Sequence, residues 1–165
     1  MVAPYNKRMD FRIGFGEDAH KLEMGRPLVI GGVEVESERG AAAHSDGDVL
    51  LHALSDALLS SLALGDIGFY FPPSNPEFKN LDSADIVRRV LALLREHGPL
   101  SIGNTAVVVT LDSPKLGPYR ERIQQNVANL LNIDAQNVGI GFKTSEGLAK
   151  GHIQARATVL LRWAS

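Results

Sequence analysis

Residues 49–64 restrict the fold more than any other segment, because their apolar side chains recur at the spacing of a helix. The apolar positions are Val49, Leu50, Ala53, Leu54, Ala57, Leu58 and Leu62. The preceding run Ser45-Asp46-Gly47-Asp48 resembles a capping box, which is typical of a helix start. The sequence therefore predicts a helix over residues 49–64 whose apolar face packs on other elements.

Strand patterns precede this helix. Phe11, Ile13 and Phe15 alternate with polar or small residues, which predicts a half-buried first strand leading into Glu17-Asp18-Ala19-His20. Residues 28–30 and 33–35 flank Gly31-Gly32, which is the turn chemistry of a β-hairpin.

Helical and strand patterns continue to alternate after residue 64. Helices are predicted over residues 83–97 and from Pro118 to near Ile133, and strands over residues 105–111, 138–143 and 153–162. The last strand places Ile153, Ala155, Ala157, Val159 and Leu161 on one face and polar residues on the other. Because no long linker or repeat interrupts this order, we expect an α/β sandwich, a sheet covered by helices.

Length, charge and composition limit the classes of function. A chain of 165 residues fits one domain, which we expect to span residues 11–165 after an N-terminal extension of residues 1–10. A net charge of −2 offers no general attraction for nucleic acid or an anionic membrane. The first residues lack the apolar core of a secretory signal, so the expected location is the cytoplasm. With no cysteine, any metal ligands must come from His, Asp and Glu.

Three residues form a candidate metal site. Asp18 and His20 are two apart in an extended segment, so their side chains point to the same side. His52 lies in an otherwise apolar helix, where an imidazole needs a hydrogen-bond partner or a metal. Two histidines and one carboxylate leave a fourth tetrahedral position open, as catalytic zinc sites do. The alternative is that Asp18 caps a turn and that His52 pairs with Asp48 or Asp56, each one turn away.

Two further polar segments are candidate phosphate sites. His44-Ser45-Asp46-Gly47-Asp48 lies at a helix start, where free amide groups favour an anion. The alternative is that Ser45 and the two aspartates only cap the helix, which is the favoured interpretation for the aspartates. Lys143-Thr144-Ser145-Glu146 follows a predicted strand and supplies a cation, two hydroxyls and a carboxylate, which suit phosphate oxygens and Mg²⁺. A solvated surface turn is the alternative for that segment, as it is for Lys115.

A third segment matches a nucleotide-binding pattern that we reject. Gly14-Phe15-Gly16-Glu17-Asp18-Ala19 fits G-x-G-x-x-A after a strand. The helix that this pattern requires is not predicted, since the chain continues through Gly25 and Pro27 into the hairpin. We therefore expect no dinucleotide site.

Together, these motifs resemble those of the 2-C-methyl-D-erythritol 2,4-cyclodiphosphate synthase family. The matching segments are Arg12-Ile13-Gly14 with Asp18-x-His20, Ala43-His44-Ser45-Asp46-Gly47-Asp48 with His52-Ala53-Leu54, Asp56-Ala57-Leu58-Leu59, Leu64-Gly65-Asp66-Ile67-Gly68 and Phe71-Pro72. Their order and spacing match from about Phe11 to the C-terminus.

The resemblance implies roles for individual residues. Asp18, His20 and His52 would bind one zinc ion per subunit, and Glu146 would hold Mg²⁺ or Mn²⁺. His44 and Thr144 would be catalytic by steadying the transferring phosphoryl group. The implied substrate-binding residues are Asp18, His20, His44, Ser45, Asp66, Ile67, Gly68, Phe71, Asn75, Leu111, Lys115, Leu116, Lys143, Thr144, Ser145 and Glu146.

The resemblance also implies a reaction and an assembly. The enzyme would cyclise 4-diphosphocytidyl-2-C-methyl-D-erythritol 2-phosphate and release CMP, in the non-mevalonate route to isoprenoid precursors. The family fold is a small mixed sheet covered by helices on one face, assembled as a homotrimer with active sites at subunit boundaries. The expected location is the cytoplasm, or the plastid stroma if a transit peptide was removed, with no nucleic-acid or membrane partner.

Two segments depart from the family pattern. Phe71-Pro72-Pro73-Ser74-Asn75 stands where the family usually has F-P-D-T-D, so sugar contacts here would use backbone groups or Asn75. Residues 146–152 lack the Phe and Arg of the family segment E-x-L-G-F-T-G-R, which bears on a ligand pocket near the trimer axis.

Two other functions use the same metal ligands. A metal hydrolase or Fe(II) oxygenase also uses two histidines and one carboxylate. A metal-stabilised trimeric binding protein without turnover is a different class, and the Thr144 and Glu146 cluster argues against it.

Overall fold

A five-stranded mixed sheet forms the frame of the chain, in a computed structural model that describes residues 11–78 and 80–163. The strands are β1 (Phe11–Met24), β2 (Leu28–Ile30), β3 (Val33–Val35), β4 (Arg39–Ala41), β5 (Leu100–Leu111), β6 (Val138–Lys143) and β7 (His152–Trp163). The helices are α1 (Val49–Ser61), α2 (Ile67–Tyr70), α3 (Ser83–Glu96) and α4 (Arg120–Leu131). The order across the sheet is β4-β1-β7-β5-β6, and β2 and β3 form a separate hairpin.

Three long antiparallel strands carry most of the sheet. β1 pairs with β7 along its length, with Asp18 opposite Ala155 and His20 opposite Ile153. β5 pairs with β7 on the other side, and β6 joins β5 in parallel. The alternating residues of β7 point their apolar face at the helices, as the sequence predicts. The expected mixed sheet with helices on one face is therefore confirmed.

Two glycines of β1 allow α1 to lie directly on the sheet. A Cβ atom at Gly14 would come within 1.7 Å of the Ala57 carbonyl oxygen, and one at Gly16 within 2.2 Å of the Ala53 carbonyl oxygen. No side chain can occupy that space, so the backbones of strand and helix touch. This contact brings the middle of α1 against the middle of β1.

The first strand is half-buried, but its large apolar residues lie on the outer side. Gly14 and Gly16 face α1, whereas Phe11, Ile13 and Phe15 are 50%, 76% and 53% exposed. The alternation correctly predicts a strand with two unlike faces. It does not reveal that the apolar face points away from this chain's own core.

Asp48 begins α1 and also anchors the hairpin. Its buried carboxylate accepts hydrogen bonds from the amides of Leu50 and Leu51 in the first helical turn, and from those of Gly31 and Gly32 in the hairpin turn. Burial raises the pKa of Asp48 to about 6 against the opposing effect of the amide donors. The N-cap of α1 is therefore Asp48 and not Ser45, which a capping box over residues 45–48 would have used.

Most predicted elements are present with shifted ends. The hairpin at Gly31-Gly32 is confirmed, with both glycines at positive φ. The first helix ends at Ser61 and not at residue 64, since Ala63 adopts a left-handed conformation. The strand expected over residues 105–111 begins earlier, at Leu100, and contains a bulge after Ile102. The short elements β4 and α2 were not predicted.

Residues 1–10, predicted to be an extension, lie outside the described residues, and the single-domain boundary stays a prediction. Among the residues that the structure describes, no helix has the length and apolar character to cross a membrane.

Candidate metal centre and phosphate-binding segments

β1 and α1 bring the three predicted metal ligands together. Asp18 and His20 project from the helix-facing side of β1, and His52 lies on α1 where the glycine contacts hold the helix against this strand. One ligand atom from each of the three residues lies within 4.8 Å of the others. The predicted trio is confirmed as a group that can hold a metal ion.

The distances within the trio fit a shared cation. Asp18 Oδ2 is 3.0 Å from His52 Nδ1 and 3.1 Å from His20 Nε2. Two ligand atoms at tetrahedral positions around zinc are about 3.3 Å apart. The His20 Nε2 atom is buried and makes no aligned hydrogen bond, despite its proximity to Asp18. A buried imidazole nitrogen without such a bond, facing a carboxylate, is typical of a metal ligand.

Asp18 and His52 shift each other's pKa in opposite directions. Burial acts to raise the pKa of Asp18, but the neighbouring His20 and His52 outweigh it and lower the pKa to about 2. Burial acts to lower the pKa of His52, and the Asp18 carboxylate overcomes this effect and raises it. The site therefore holds a negative oxygen that is compensated by positive charge, which a bound cation would also supply.

The alternative partners considered for His52 are excluded by the structure. Asp48 binds the hairpin and helix amides, as described above, and Asp56 accepts a hydrogen bond from the Ile67 amide at 2.8 Å. His52 instead contacts Asp18 through Nδ1 and the hydroxyls of Ser83 and Ser45 through Nε2, at 2.9 and 3.4 Å. Asp18 likewise does not cap a turn, since it lies inside β1.

A pocket of about 320 Å³ opens beside the trio. Its lining residues are His20, Ala42, Ala43, His44, Ser45, His52, Ile67, Gly68, Phe71, Pro73, Phe78, Leu81 and Ile86. A roomier hollow of about 440 Å³ at the end of α4 includes Asn129, Asn132 and Asp134 but none of the candidate ligands. Of these two pockets, the one at the trio is the candidate binding site, because metal-ligating and apolar groups converge there.

Several predicted substrate-binding residues line or border this pocket. His44, Ser45, Ile67, Gly68 and Phe71 line it. The carboxylate of Asp66 accepts a hydrogen bond from the Phe69 amide and so begins α2. Asn75 is not among the lining residues, and its side chain accepts a hydrogen bond from the Glu77 amide. The contacts of these residues with substrate stay predictions.

The second polar segment forms an organised turn after β6. The Thr144 hydroxyl donates to Glu146 Oε1 at 2.6 Å, and Glu146 itself adopts a left-handed backbone conformation. Asp112, at the end of β5, accepts hydrogen bonds from the Ser145 hydroxyl and amide. These Ser145 bonds lower the pKa of Asp112. The turn is held in place by the neighbouring strand, unlike a free surface loop.

Four other predicted substrate-binding residues have two different environments. Lys115 and Lys143 are exposed, so both ammonium groups can meet a ligand. Leu111 and Leu116 are buried in the hydrophobic core. A contact between either leucine and a nucleotide would therefore have to use its backbone, and this role stays a prediction.

The metal trio and the Thr144 turn do not meet within one chain. Asp18 and His20 of the trio lie on β1, with His52 of α1 above them, and the turn follows β6 at the far edge of the sheet. Three interstrand spacings separate these strands, about 14 Å. A ligand that touches both groups in one chain would have to span the width of the sheet.

Three polar residues that organise the site were not among the predicted site residues. Ser83 contacts His52, Asp56 holds the start of α2, and Asp112 orders the Thr144 turn. Sequence spacing does not predict these contacts, because each one joins two different elements of the fold. Asp56 carried the best signal, since it lies one turn after His52 in α1.

The chain belongs to the YgbB family, whose model matches residues 11–162. A relative from Deinococcus radiodurans is 58% identical over 93% of this chain and 95% of its own length, and one from Thermus thermophilus is 50% identical over 91% and 98%. Both are named 2-C-methyl-D-erythritol 2,4-cyclodiphosphate synthase, so the resemblance inferred from the motifs is confirmed.

Solved structures give the same result for the fold. A cyclodiphosphate synthase structure superimposes with a TM-score of 0.87 at 49% identity, covering 91% of this chain and 99% of the other. A synthase structure described as the CDP-bound form gives a TM-score of 0.87 at 47% identity with the same coverage.

Proposed function

We propose that this chain is a 2-C-methyl-D-erythritol 2,4-cyclodiphosphate synthase. It converts 4-diphosphocytidyl-2-C-methyl-D-erythritol 2-phosphate into the cyclic diphosphate and CMP. The observation that carries the proposal is the Asp18, His20 and His52 cluster, which opens on a pocket in a chain whose close relatives bear this name. We place the reaction in the cytoplasm or, as in the chloroplastic rice relative, in a plastid.

Zinc is the metal we assign to the trio, and Mg²⁺ or Mn²⁺ to Glu146. Two imidazoles and one carboxylate suit zinc, whereas a lone carboxylate with hydroxyl neighbours suits a hard cation shared with phosphate oxygens. Bound metal would supply Lewis-acid stabilisation of the charge on the phosphates.

The protein's own residues then position the substrate. In the proposed reaction the substrate's 2-phosphate attacks its β-phosphorus, a P–O bond to that phosphorus forms, and the bond to the CMP oxygen breaks. No protein nucleophile is needed, so positioning and charge compensation are the main demands. The apolar Ile67 and Phe71 side of the pocket limits water access, while His44 and the Thr144 hydroxyl steady the transferring phosphoryl group.

The direct test is product analysis with a matched histidine control. Purified protein is incubated with the substrate, Zn²⁺ and Mg²⁺, and both products are followed by ³¹P NMR. We expect equal amounts of CMP and cyclic diphosphate, turnover to be lost in His52→Ala, and turnover to be retained in His97→Ala. His97 is a suitable control because it ends α3, away from the pocket, and its ring bonds to the Leu93 carbonyl.

Other products would point to the rival functions. An uncyclised phosphate product together with CMP would indicate a metal hydrolase. Zinc-dependent melting without any turnover would indicate a binding protein. Either result would refute the synthase proposal.

We further propose that the active chain is a homotrimer whose sites lie at subunit boundaries. Two features support this assembly. Phe11, Ile13 and Phe15 present an apolar outer face that a second copy can bury. β1, which carries Asp18 and His20, lies about 14 Å from β6, which leads into the Thr144 turn. One substrate could contact both groups if one copy supplied the trio and a neighbouring copy supplied the turn.

Subunit mixing tests this assembly. His52→Ala and Glu146→Ala are each expected to be inactive, and they are unfolded together, refolded as a mixture, and assayed. If each site takes His52 from one copy and Glu146 from another, random mixing restores about a quarter of the wild-type activity. If both residues come from one chain, no activity returns and the boundary proposal fails.

A further inference from the structure

A buried serine connects His52 to an aspartate outside the metal trio. Ser83 is the first residue of α3 and has no solvent exposure. Its hydroxyl lies 2.9 Å from His52 Nε2 and makes a short hydrogen bond to Asp46 Oδ1. The series Asp46, Ser83, His52, Asp18 is thus continuous through side-chain contacts.

The direction of these hydrogen bonds follows from the donors available. An ionised carboxylate only accepts, and Asp46 already accepts from the Ser83 and Asp48 amides. The single hydroxyl proton of Ser83 must therefore go to Asp46. Its oxygen is left as an acceptor, so the bond to His52 requires a proton on Nε2.

A proton on Nε2 decides which nitrogen of His52 serves as the ligand. Without a cation, Nδ1 would share a proton with the Asp18 carboxylate, 3.0 Å away. A bound cation would replace that proton, and the neutral ring would then carry its one proton on Nε2 and leave the Nδ1 lone pair for the metal. Nδ1 is the nitrogen that faces Asp18 Oδ2 and the rest of the trio. Ligating histidines are commonly oriented in this way by a second hydrogen-bonded partner.

We propose that Ser83 is a positioning residue which, backed by Asp46, fixes the Nε2–H tautomer of His52 and presents Nδ1 to the metal. This inference rests on the proposed metal site and adds two residues to it. Ser45 also lies near Nε2, at 3.4 Å, but its oxygen accepts from the Gly47 amide and has no carboxylate partner among the described residues. Ser45 is therefore the weaker neighbour.

Zinc affinity provides the first test. Dissociation constants are measured by competition with a chromophoric chelator for wild type, Ser83→Ala and Ser55→Ala. Ser55 is a matched control because it is also a fully buried serine near His52, and its hydroxyl has no hydrogen-bond partner in the part of the chain that the structure describes. Ser83→Ala should weaken zinc binding about 10- to 100-fold, and Ser55→Ala should leave it unchanged.

The tautomer itself provides a readout that a merely structural role would not change. Long-range ¹H–¹⁵N spectra of zinc-loaded wild type should place the His52 proton on Nε2. Conservative Ser83→Thr, which keeps the hydroxyl, should recover zinc affinity relative to Ser83→Ala. A proton on Nδ1, or equal zinc affinity in Ser83→Ala and Ser55→Ala, would overturn the inference even if Ser83→Thr fails to fold.

These measurements separate the inference from the proposed function. Zinc bound through Nδ1 without cyclisation would refute the synthase proposal and leave the role of Ser83 intact. If the wild type cyclises the substrate and Ser83→Ala binds zinc as tightly as the wild type, the synthase proposal would stand and the role of Ser83 would be refuted. A wild-type protein that binds no zinc would overturn both.

Discussion

Replacing Asp48 by alanine should destabilise the fold far more than the loss of an ordinary helix cap. The carboxylate serves four amides at once, two at the start of α1 and two in the β2–β3 turn. Loss of a cap costs about 0.5–2 kcal/mol, and hydrogen bonds to a charged group contribute about 1.5–3 kcal/mol each. Relief from burying the carboxylate offsets part of this loss, so we expect a net decrease of about 3–4 kcal/mol in the free energy of unfolding.

Asparagine at the same position should have an intermediate effect. The side-chain oxygen at the Oδ1 position can still accept from Gly31, Leu50 and Leu51. The new amide group would face the Gly32 amide, which now lies 2.6 Å from Oδ2. One hydrogen bond becomes a contact between two donors, so the expected decrease is about 1–2 kcal/mol.

Urea unfolding at a fixed protomer concentration, with chelator present, measures both variants without a contribution from bound metal. Asp82→Ala is the matched control, because Asp82 caps α3 through a single side-chain bond to the Ala84 amide. We expect this control to lose about 1 kcal/mol. If Asp48→Ala loses no more than Asp82→Ala, the hairpin bonds contribute nothing and the reasoning fails.

Three further perturbations test other parts of the structure. Gly16→Ala should lower both the melting temperature and zinc affinity, because the new methyl group separates α1 from β1, whereas Gly151→Ala, with open space around it, should change neither. Ile13→Asp should keep the circular dichroism of the fold but reduce the mass found by light scattering, and an unchanged mass would place the subunit contact elsewhere. Asp112→Asn should weaken its bonds to Ser145 and raise the KM for the substrate while zinc affinity stays at the wild-type value. An unchanged KM would show that the turn does not need that carboxylate.

The sequence predicts the elements and the metal ligands well because both depend on local spacing. Asp18 and His20 share a face because they are two apart in a strand, and His52 stands out because its helix is otherwise apolar. Neither observation requires knowledge of the sheet order. The family motifs then unite these separate signals.

The supporting contacts are not predictable in this way, because they join segments distant in the chain. Ser83 lies 31 residues after His52 in the sequence. Asp46, which bonds to Ser83, lies just before the start of α1. The alternation in β1 likewise predicts two faces but not their directions. Only the contact of Gly14 and Gly16 with the helix backbone decides that the smaller residues point inward.

The two faces of β1 make the pairing register of this strand unusually exacting. A shift of one residue would turn Asp18 and His20 away from His52 and drive the Phe15 ring into the space where the backbones of β1 and α1 touch. The strand therefore has no neighbouring misaligned state that keeps either the ligand cluster or the helix contact. Errors in strand alignment during folding would be rejected by steric exclusion, before any metal ion is needed to distinguish the correct pairing.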